Sequence, residues 1–395
     1  MRGNPRRATW RYDPALYAPP RYRRACSYDA FVPDPVADMS VSLPGELAAV
    51  VSDAEAAIAR LNSGAGAALA PLARLLLRTE SIASSKIEGM QVDARTLARA
   101  EVASETGRSI GAEATEIIAN IDAMQFAVED AAARKISEKE LLAIHRVLMA
   151  RTERAEHAGK LRDVQNWIGG NNYNPCGADF VPPPPDEVRR LVHDLTSFSE
   201  CDDLPPLVQA GIAHAQFETI HPFEDGNGRT GRALIQVILR GRRLATTYVP
   251  PISVVFARSK RRYIEGLELF RADDVAGWLE VFATAAVRAA KLALRYVDAV
   301  TTLQEEWRVR LMDHSAPRSD SAAWSVIDVL PAHPVVTVAV ATAATGRTKA
   351  AVNNAVAELA DAGVLTPLSD SKRNRAWEAV GLLDLIVSVE TGKHI

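Results

Sequence analysis

Cysteine is scarce in this 395-residue chain, which has three, Cys26, Cys176 and Cys201. None sits at a metal-binding or redox spacing, and an odd, low count points to a reducing compartment. Aromatic residues make up only 6%. Alanine is abundant instead, which favours helices over strands. No stretch reaches the ~18 apolar residues of a membrane-spanning helix. The best one, 281–297, is broken by Arg288, Lys291 and Arg295. No apolar segment follows the basic first residues, so no secretory signal is expected. These absences predict a cytoplasmic protein with no membrane partner. Internal repeats, low-complexity blocks and the phosphate loop G-x-x-x-x-G-K-[ST] are missing too.

What remains is ordinary in bulk. Apolar residues are 48% and charged residues 24%, so collagen, general disorder and pure coiled coil are excluded. The chain is long enough for a sizeable core without disulfide or metal staples. At about 150 residues per domain it holds two or three domains. The net charge of −3 hides an asymmetry. Residues 1–24 carry seven arginines (2, 6, 7, 11, 21, 23, 24) against Asp13, a charge of +6 that leaves −9 for the rest. The bulk therefore does not coat nucleic acid. The arm either packs on the body or meets an acidic partner, and packing is the expectation.

Residues 1–44, rich in Pro, Arg and Tyr, read as extended. From Gly45 the period is helical: Leu47, Val50, Val51, Ala54, Ile58 and Leu61 share a face. A second run has Leu69, Leu72, Leu75 and Leu76, and helical patterns resume over 112–134 and 138–150. Between Gly159 and Pro185, short apolar patches at Trp167-Ile168 and Phe180-Val181 flank a Gly/Asn turn, which predicts a small hairpin. Pro182–Pro185 then preset a stiff entry into a helix near Asp186. Helical periodicity dominates from 186 to about 312, and the polar string 313–320 reads as a linker.

The densest chemistry lies in His221-Pro-Phe-Glu-Asp-Gly-Asn-Gly-Arg-Thr-Gly-Arg232. Leu207, Ile212, Ala213, Phe217 and Ile220 predict a helix ending near His221, with Pro222 helping to end it. Ala233, Leu234, Val237 and Ile238 predict another after it. At such a junction, glycines let successive N–H groups form an anion nest, and the next helix adds its positive end. Arg229 and Arg232 suit phosphate oxygens. Asp225 offers a hard ligand for Mg²⁺, and His221 can take a proton near neutral pH. Together these are the parts of a phosphoryl or nucleotidyl transfer site. Gly226-x-Gly228-x-x-Gly231 formally matches a dinucleotide fingerprint, but that requires a preceding buried strand and the preceding segment is helical. His214, two helical turns before His221, reads as a packing residue rather than a zinc ligand.

HPFEDGNGRTGR resembles the signature of Fic proteins, H-P-F-x-[DE]-G-N-G-R-x-x-R, with no departure. The resemblance implies an all-α core that transfers AMP from ATP to a hydroxyl of a target protein. It implies His221 as the general base toward a Ser, Thr or Tyr hydroxyl, and Phe223 as a buried anchor. Asp225 would hold Mg²⁺ on the phosphates. Gly226, Asn227 and Gly228 would form the anion hole, and Arg229 and Arg232 would bind the outer phosphates. Residues 164–182 would be the flap that clamps the target by backbone pairing, and Tyr263 would lie near the nucleotide base.

A second string, Ser84-Ser-Lys-Ile-Glu-Gly89, reads locally as a capping box with Gly89 as a C-cap. It also resembles the Fic inhibitory motif [ST]-x-x-x-E-[GN], matched by Ser84, Glu88 and Gly89. Glu88 would then pair with Arg232 and occupy the γ-phosphate position. Residues 28–33 look like the N-terminal region of the same class, so the resemblance spans roughly 28–300.

The last 75 residues are a different unit. Thr337–Ala343, a turn, then Arg347–Ala362 predict a helix-turn-helix, and Gly363-Val364-Leu365, a polar turn at Ser369–Asn374 and Arg375-Ala376-Trp377 predict a wing. Residues 346–377 carry only +2, a thin footprint for DNA. The expected fold is mainly α, a Fic helical core with a β-hairpin flap plus a C-terminal winged helix. The expected layout is 1–110 with the inhibitory motif, 111–312 catalytic and 320–395 winged helix. The expected function is an autoinhibited protein adenylyltransferase using ATP and Mg²⁺. The rivals are a DNA-binding regulator with a nucleotide-sensing core, and another transfer by the same loop such as phosphorylation. A homodimer is a further candidate partner arrangement.

Overall fold

The computed structural model describes residues 2–15, 17–63, 70–105, 108–368 and 375–391. Leu69 and the expected wing turn Ser369–Asn374 lie outside the described residues. In chain order the elements are β1 (Gly3–Trp10), β2 (Cys26–Pro33), α1 (Gly45–Ser63), α2 (Ala70–Ile87), α3 (Ala94–Glu105), α4 (Ala112–Phe126) and α5 (Glu138–Met149). Then follow α6 (Pro185–Glu200), α7 (Pro206–Ile220), α8 (Asn227–Gly241), α9 (Ile252–Arg258), α10 (Lys260–Arg271) and α11 (Val275–Ser315). The last are α12 (Ala322–Val329), β3 (Val335–Thr337), α13 (Val338–Thr345), α14 (Lys349–Asp361), β4 (Leu365–Pro367), β5 (Ala376–Ala379) and α15 (Leu382–Thr391).

The chain divides into two compact units that interleave along the sequence. The first is 1–53, 122–244 and 260–284; the second is 54–121, 245–259 and 285–395. Each unit is assembled from segments that are not consecutive in the chain.

In the first unit α7 is the axis. Its Leu207, Val208, Ile212, Ala213, Phe217 and Ile220 are all fully buried, as a helix apolar on every side must be. α6, α8 and α10 pack against it, and Trp278 of α11 donates its Nε1–H to the Gly211 carbonyl at 2.9 Å. α7 and α8 approach very closely at Gly231, where a Cβ would lie 2.6 Å from Glu218 Oε1 and 2.8 Å from the Phe217 ring. A methyl there would force the Glu218 and Phe217 side chains to shift.

The basic arm is a β-hairpin. β1 pairs antiparallel with β2, Gly3 opposite Pro33 and Trp10 opposite Cys26. The expected flap hairpin is reduced to one bridge, Ile168 opposite Phe180. Its turn uses Gly169 and Gly170 at φ 75° and 72°. Cys26 and Cys176 form a disulfide, with Cα atoms 6.3 Å apart and 150 residues between them. The cysteine count therefore no longer supports a reducing compartment: spacing rules see local pairs, and this pair is made by the fold. Among the described residues no helix is long and apolar enough to cross a membrane.

In the second unit α2 is the buried element. Glu80 accepts from the Ser253 N–H and hydroxyl at 2.8 and 2.7 Å, tying α2 to α9. The C-terminal part holds α12, α13 and α14 with a three-stranded sheet in the order β3-β5-β4. In chain order this part runs α12, β3, α13, α14, β4 and β5, with β3 and β4 each antiparallel to β5. The linker is shorter than 313–320, since α11 continues to Ser315 and breaks only where Ala316 takes a positive φ of 43° before Pro317. The residue before a proline is disfavoured in helical geometry.

Candidate active site

The motif sits at the junction of α7 and α8, as its flanking periodicities predict. His221 is the residue after α7 and adopts a left-handed conformation, φ 49° and ψ 60°. Its N–H still donates to the Phe217 carbonyl at 2.9 Å. Such a conformation costs a non-glycine residue about 1–3 kcal/mol and persists only where the surroundings over-determine it. Arg162 and Asn166 do this. Arg162 donates from Nε to the His221 carbonyl at 2.8 Å, and from its other nitrogens to the carbonyls of Val164, Pro183 and Ile220. Its own N–H meets the Pro222 carbonyl at 2.9 Å. Asn166 Nδ2 donates to the carbonyls of His221 and Phe223 at 3.3 and 3.0 Å. Burial lowers the Arg162 pKa to about 10, so the guanidinium stays charged at neutral pH and is solvated by carbonyl dipoles.

The loop between His221 and α8 is fastened from inside. Phe223 is fully buried, as the resemblance implies for an anchor. Its backbone N–H and carbonyl are both held by the Asn227 side chain, at 2.8 Å each. Asn227 therefore has its amide turned inward, and what it can offer an anion is its backbone N–H. Gly226 caps α8 at φ 73°. The first N–H groups of a helix lack intrahelical acceptors, so the loop aims donors and the helix dipole at one place.

His145 of α5 was not singled out by the sequence. Its ring stacks on Phe223, centroids 3.7 Å apart and nearly parallel. Nδ1 accepts the Gly159 N–H at 3.0 Å, so the neutral ring carries its proton on Nε2, which donates to the Asp225 carbonyl at 3.0 Å. Burial lowers the pKa to about 4, which keeps this tautomer in place at neutral pH. His145, Arg162 and Asn166 lie 55 to 80 residues upstream of the atoms they hold. Their only local signals are a lone His in a helical pattern and an Arg after Gly159.

Asp225 presents a carboxylate that is 38% exposed. Arg154 and Arg229 stand 3.4 and 3.6 Å from it, and the Gly226 N–H donates to Oδ1 at 2.6 Å. A single half-exposed carboxylate fits Mg²⁺, which takes one or two carboxylates and completes its shell with water and phosphate oxygens. Among the described residues no cluster of three or more His, Cys, Asp or Glu side chains forms a fuller cage. Arg229 on the first turn of α8 and Arg232 on the second are both buried, at 2% and 1% exposure. Arg232 lies near His214, whose pKa falls to about 3 through burial and then that positive charge. His214 Nε2 meets the Tyr263 hydroxyl at 2.8 Å. Tyr263 is 4% exposed and packs among His214 and Trp278, a core position.

Ser84, Glu88 and Gly89 belong to the second unit. They stand at the C-terminal end of α2, so the capping-box reading, which needs a helix start, does not apply. Gly89 has φ +93° and its N–H meets the Lys86 carbonyl at 3.0 Å, a helix-terminating turn. Asn120 of α4 fixes this end of α2, donating to the Ser81 carbonyl at 2.7 Å and to Ser85 Oγ at 3.1 Å.

Comparison with known proteins agrees with the fold. Residues 135–239 match the Fic/DOC family and residues 48–129 match the Fic/DOC family N-terminal region. A curated relative, "Protein adenylyltransferase Fic" of Drosophila grimshawi, is 29% identical over 205 residues, covering 49% of this chain. The chain spans 39% of that relative's length. A Fic family protein from Desulfovibrio desulfuricans G20 superposes with a TM-score of 0.53 at 24% identity, covering 86% of this chain and 98% of that one. A Fic domain containing signaling protein from Bacteroides thetaiotaomicron gives 0.52 at 17% identity, covering 63% and 97%. These structural likenesses concern the fold.

Proposed function

The chain carries a Fic/DOC domain preceded by the family's N-terminal region, and we propose that it transfers AMP from ATP to a Ser, Thr or Tyr hydroxyl of a target protein. The observation that carries this reading is the left-handed His221, held by Arg162 and Asn166 beside the donor-lined start of α8. His221 takes the proton from the attacking hydroxyl. The hydroxyl oxygen attacks the α-phosphorus of ATP, the bond to the β-phosphate oxygen breaks, and pyrophosphate leaves. N–H groups of Asn227 and Gly228 stabilise the charge on the α-phosphate, with the Gly226 N–H holding the Asp225 carboxylate, while Arg229 and Arg232 hold the outer phosphates. Asp225 is the residue that would hold Mg²⁺, whose chemistry is to neutralise phosphate charge. Little covalent work falls to the protein, so fixed dipoles and positioning carry the rate.

Glu88, with Ser84 and Gly89, forms the inhibitory string that restrains this transfer. Support comes from the motif match and from the firm seating of the α2 end by Asn120. The same carboxylate can orient water for AMP removal. The DNA-binding rival has less support. A cavity of about 830 Å³ between α13, α14 and β5 is lined by Lys349, Asn353, Asp361 and Arg375, a mixed-sign surface.

The test is protein labelling with Mg²⁺ and ATP labelled at the α-phosphate. Glu88→Gly is expected to label itself or lysate proteins more strongly than the parent, and addition of His221→Ala to abolish this. No label from Glu88→Gly overturns the reading. Label from the γ- but not the α-phosphate selects phosphorylation instead.

A further inference from the structure

The +6 charge of residues 1–24 has a definite place in the first unit. Between β1 and β2 the chain makes a long loop, and this loop is bound along the flap at several points. Cys26 and Cys176 are joined by the disulfide. The Tyr22 ring stacks on Tyr173, centroids 5.0 Å apart, and Asn174 Nδ2 donates to the Tyr22 carbonyl at 3.2 Å. Trp10 meets Trp167 edge-on at 5.5 Å. On the β2 side the Phe31 N–H donates to the Val181 carbonyl at 2.9 Å. The loop and the flap are one surface.

The seven arginines then separate into two groups. Arg2 is buried, with Nη2 on the Pro35 carbonyl, and Arg6 and Arg7 pair with Asp186 and Asp29 at 2.8 and 3.4 Å. Those three fasten the hairpin. Arg11, Arg21, Arg23 and Arg24 are exposed, and among the described residues none forms an ion pair with a carboxylate. The loop's only acid, Asp13, is turned to its own backbone, accepting the Ala15 N–H at 2.9 Å. Two of the four are already oriented: Arg21 lies over the Tyr22 ring at 4.6 Å and Arg23 over Tyr12 at 5.7 Å. A guanidinium held on an aromatic face loses less freedom when it meets a carboxylate. Four cations without carboxylates cost self-repulsion that packing alone does not require.

We propose that this arginine loop docks an acidic segment of the protein substrate, so that carboxylates flanking the target hydroxyl select it and carry it along the flap. That the docked chain is the substrate rests on the AMP-transfer reading; the acidic dock itself does not. A protein is favoured over nucleic acid on two grounds. The loop adjoins a bridge-forming flap whose backbone can pair with an extended peptide. The remaining chain carries −9, which repels a long polyanion.

The test uses the full chain and fluorescent peptides with one Ser, Thr or Tyr flanked by Glu or, in the control, by Lys. Binding is read by anisotropy without ATP. The Glu-flanked peptide is expected to bind at least about tenfold tighter than the control, to weaken with salt, and to lose that advantage in Arg11→Glu/Arg21→Glu/Arg23→Glu/Arg24→Glu. Circular dichroism checks that this surface variant is folded. In the Glu88→Gly background the same four changes are expected to abolish the preference for acidic peptides in AMP transfer while leaving transfer to a neutral peptide intact. Equal binding of the two peptides overturns the proposal. So does tighter binding of a single-stranded oligonucleotide that the four changes abolish. Selective acidic binding without AMP transfer to any peptide leaves the dock standing and removes the AMP reading instead.

Discussion

A buried guanidinium with carbonyl partners is a positioning device, and Arg162 is the sharpest case. It fixes the backbone of His221 rather than touching a substrate. Arg162→Lys keeps the charge but loses the fork that reaches four carbonyls. AMP transfer by the Glu88→Gly form is expected to fall in kcat by about 100-fold, the scale of an ångström misplacement, with KM for ATP little changed. An unchanged kcat contradicts the role. The buried histidines give a pH signature. His145 and His214 have folded pKa values of about 4 and about 3, below the usual 6.5. The unfolded chain therefore binds protons that the native one refuses. Their contribution to stability is full above pH 6.5 and is lost as pH falls toward 4 for His145 and toward 3 for His214. Urea unfolding is expected to show a lower midpoint at pH 5 than at pH 7, and His214→Gln to flatten that fall. At this scale the sequence was partly legible. His221, Asp225, Arg229 and Arg232 announce themselves because they are contiguous. His145, Arg162 and Asn166 do not, because their partners come from the fold.

The helix junction converts those residues into a site. α7 ends at Ile220 because Pro222 and a left-handed His221 stop it, and α8 begins after Gly226 because that glycine accepts positive φ. Gly231 then sets how closely the two helices cross. Gly231→Ala puts a methyl against Glu218 and Phe217, and is expected to destabilise the first unit by about 1–3 kcal/mol in denaturant unfolding. No loss contradicts the close crossing. Helical period located α1, α5 and α8 because each buries a regular stripe; α7, buried on every side, showed through the spacing of Leu207, Ile212, Ala213, Phe217 and Ile220. It missed the last turn of α11, since no residue from 313 to 315 forbids a helix and the break waits for Pro317. The arm was legible as extended chain. Its pairing with the flap was not, because a disulfide and ring stacks between residues far apart leave no periodic trace.

At the scale of the whole chain, a single net charge hides two opposite parts. The net −3 is the sum of a +6 arm and a −9 remainder, and the two compact units are assembled from interleaved segments. One unit holds the junction of α7 and α8; the other holds the end of α2 with Glu88. We propose that the loop transfers AMP and that Glu88 restrains it. The most direct measurement is mass spectrometry of proteins incubated with Mg²⁺, ATP and the Glu88→Gly chain, with peptide sequencing of the modified residue. The account predicts an adenylyl group on a Ser, Thr or Tyr oxygen, more of it than with the parent chain, and none with Glu88→Gly/His221→Ala. A bare phosphate on those oxygens, or no modification by Glu88→Gly, would contradict it.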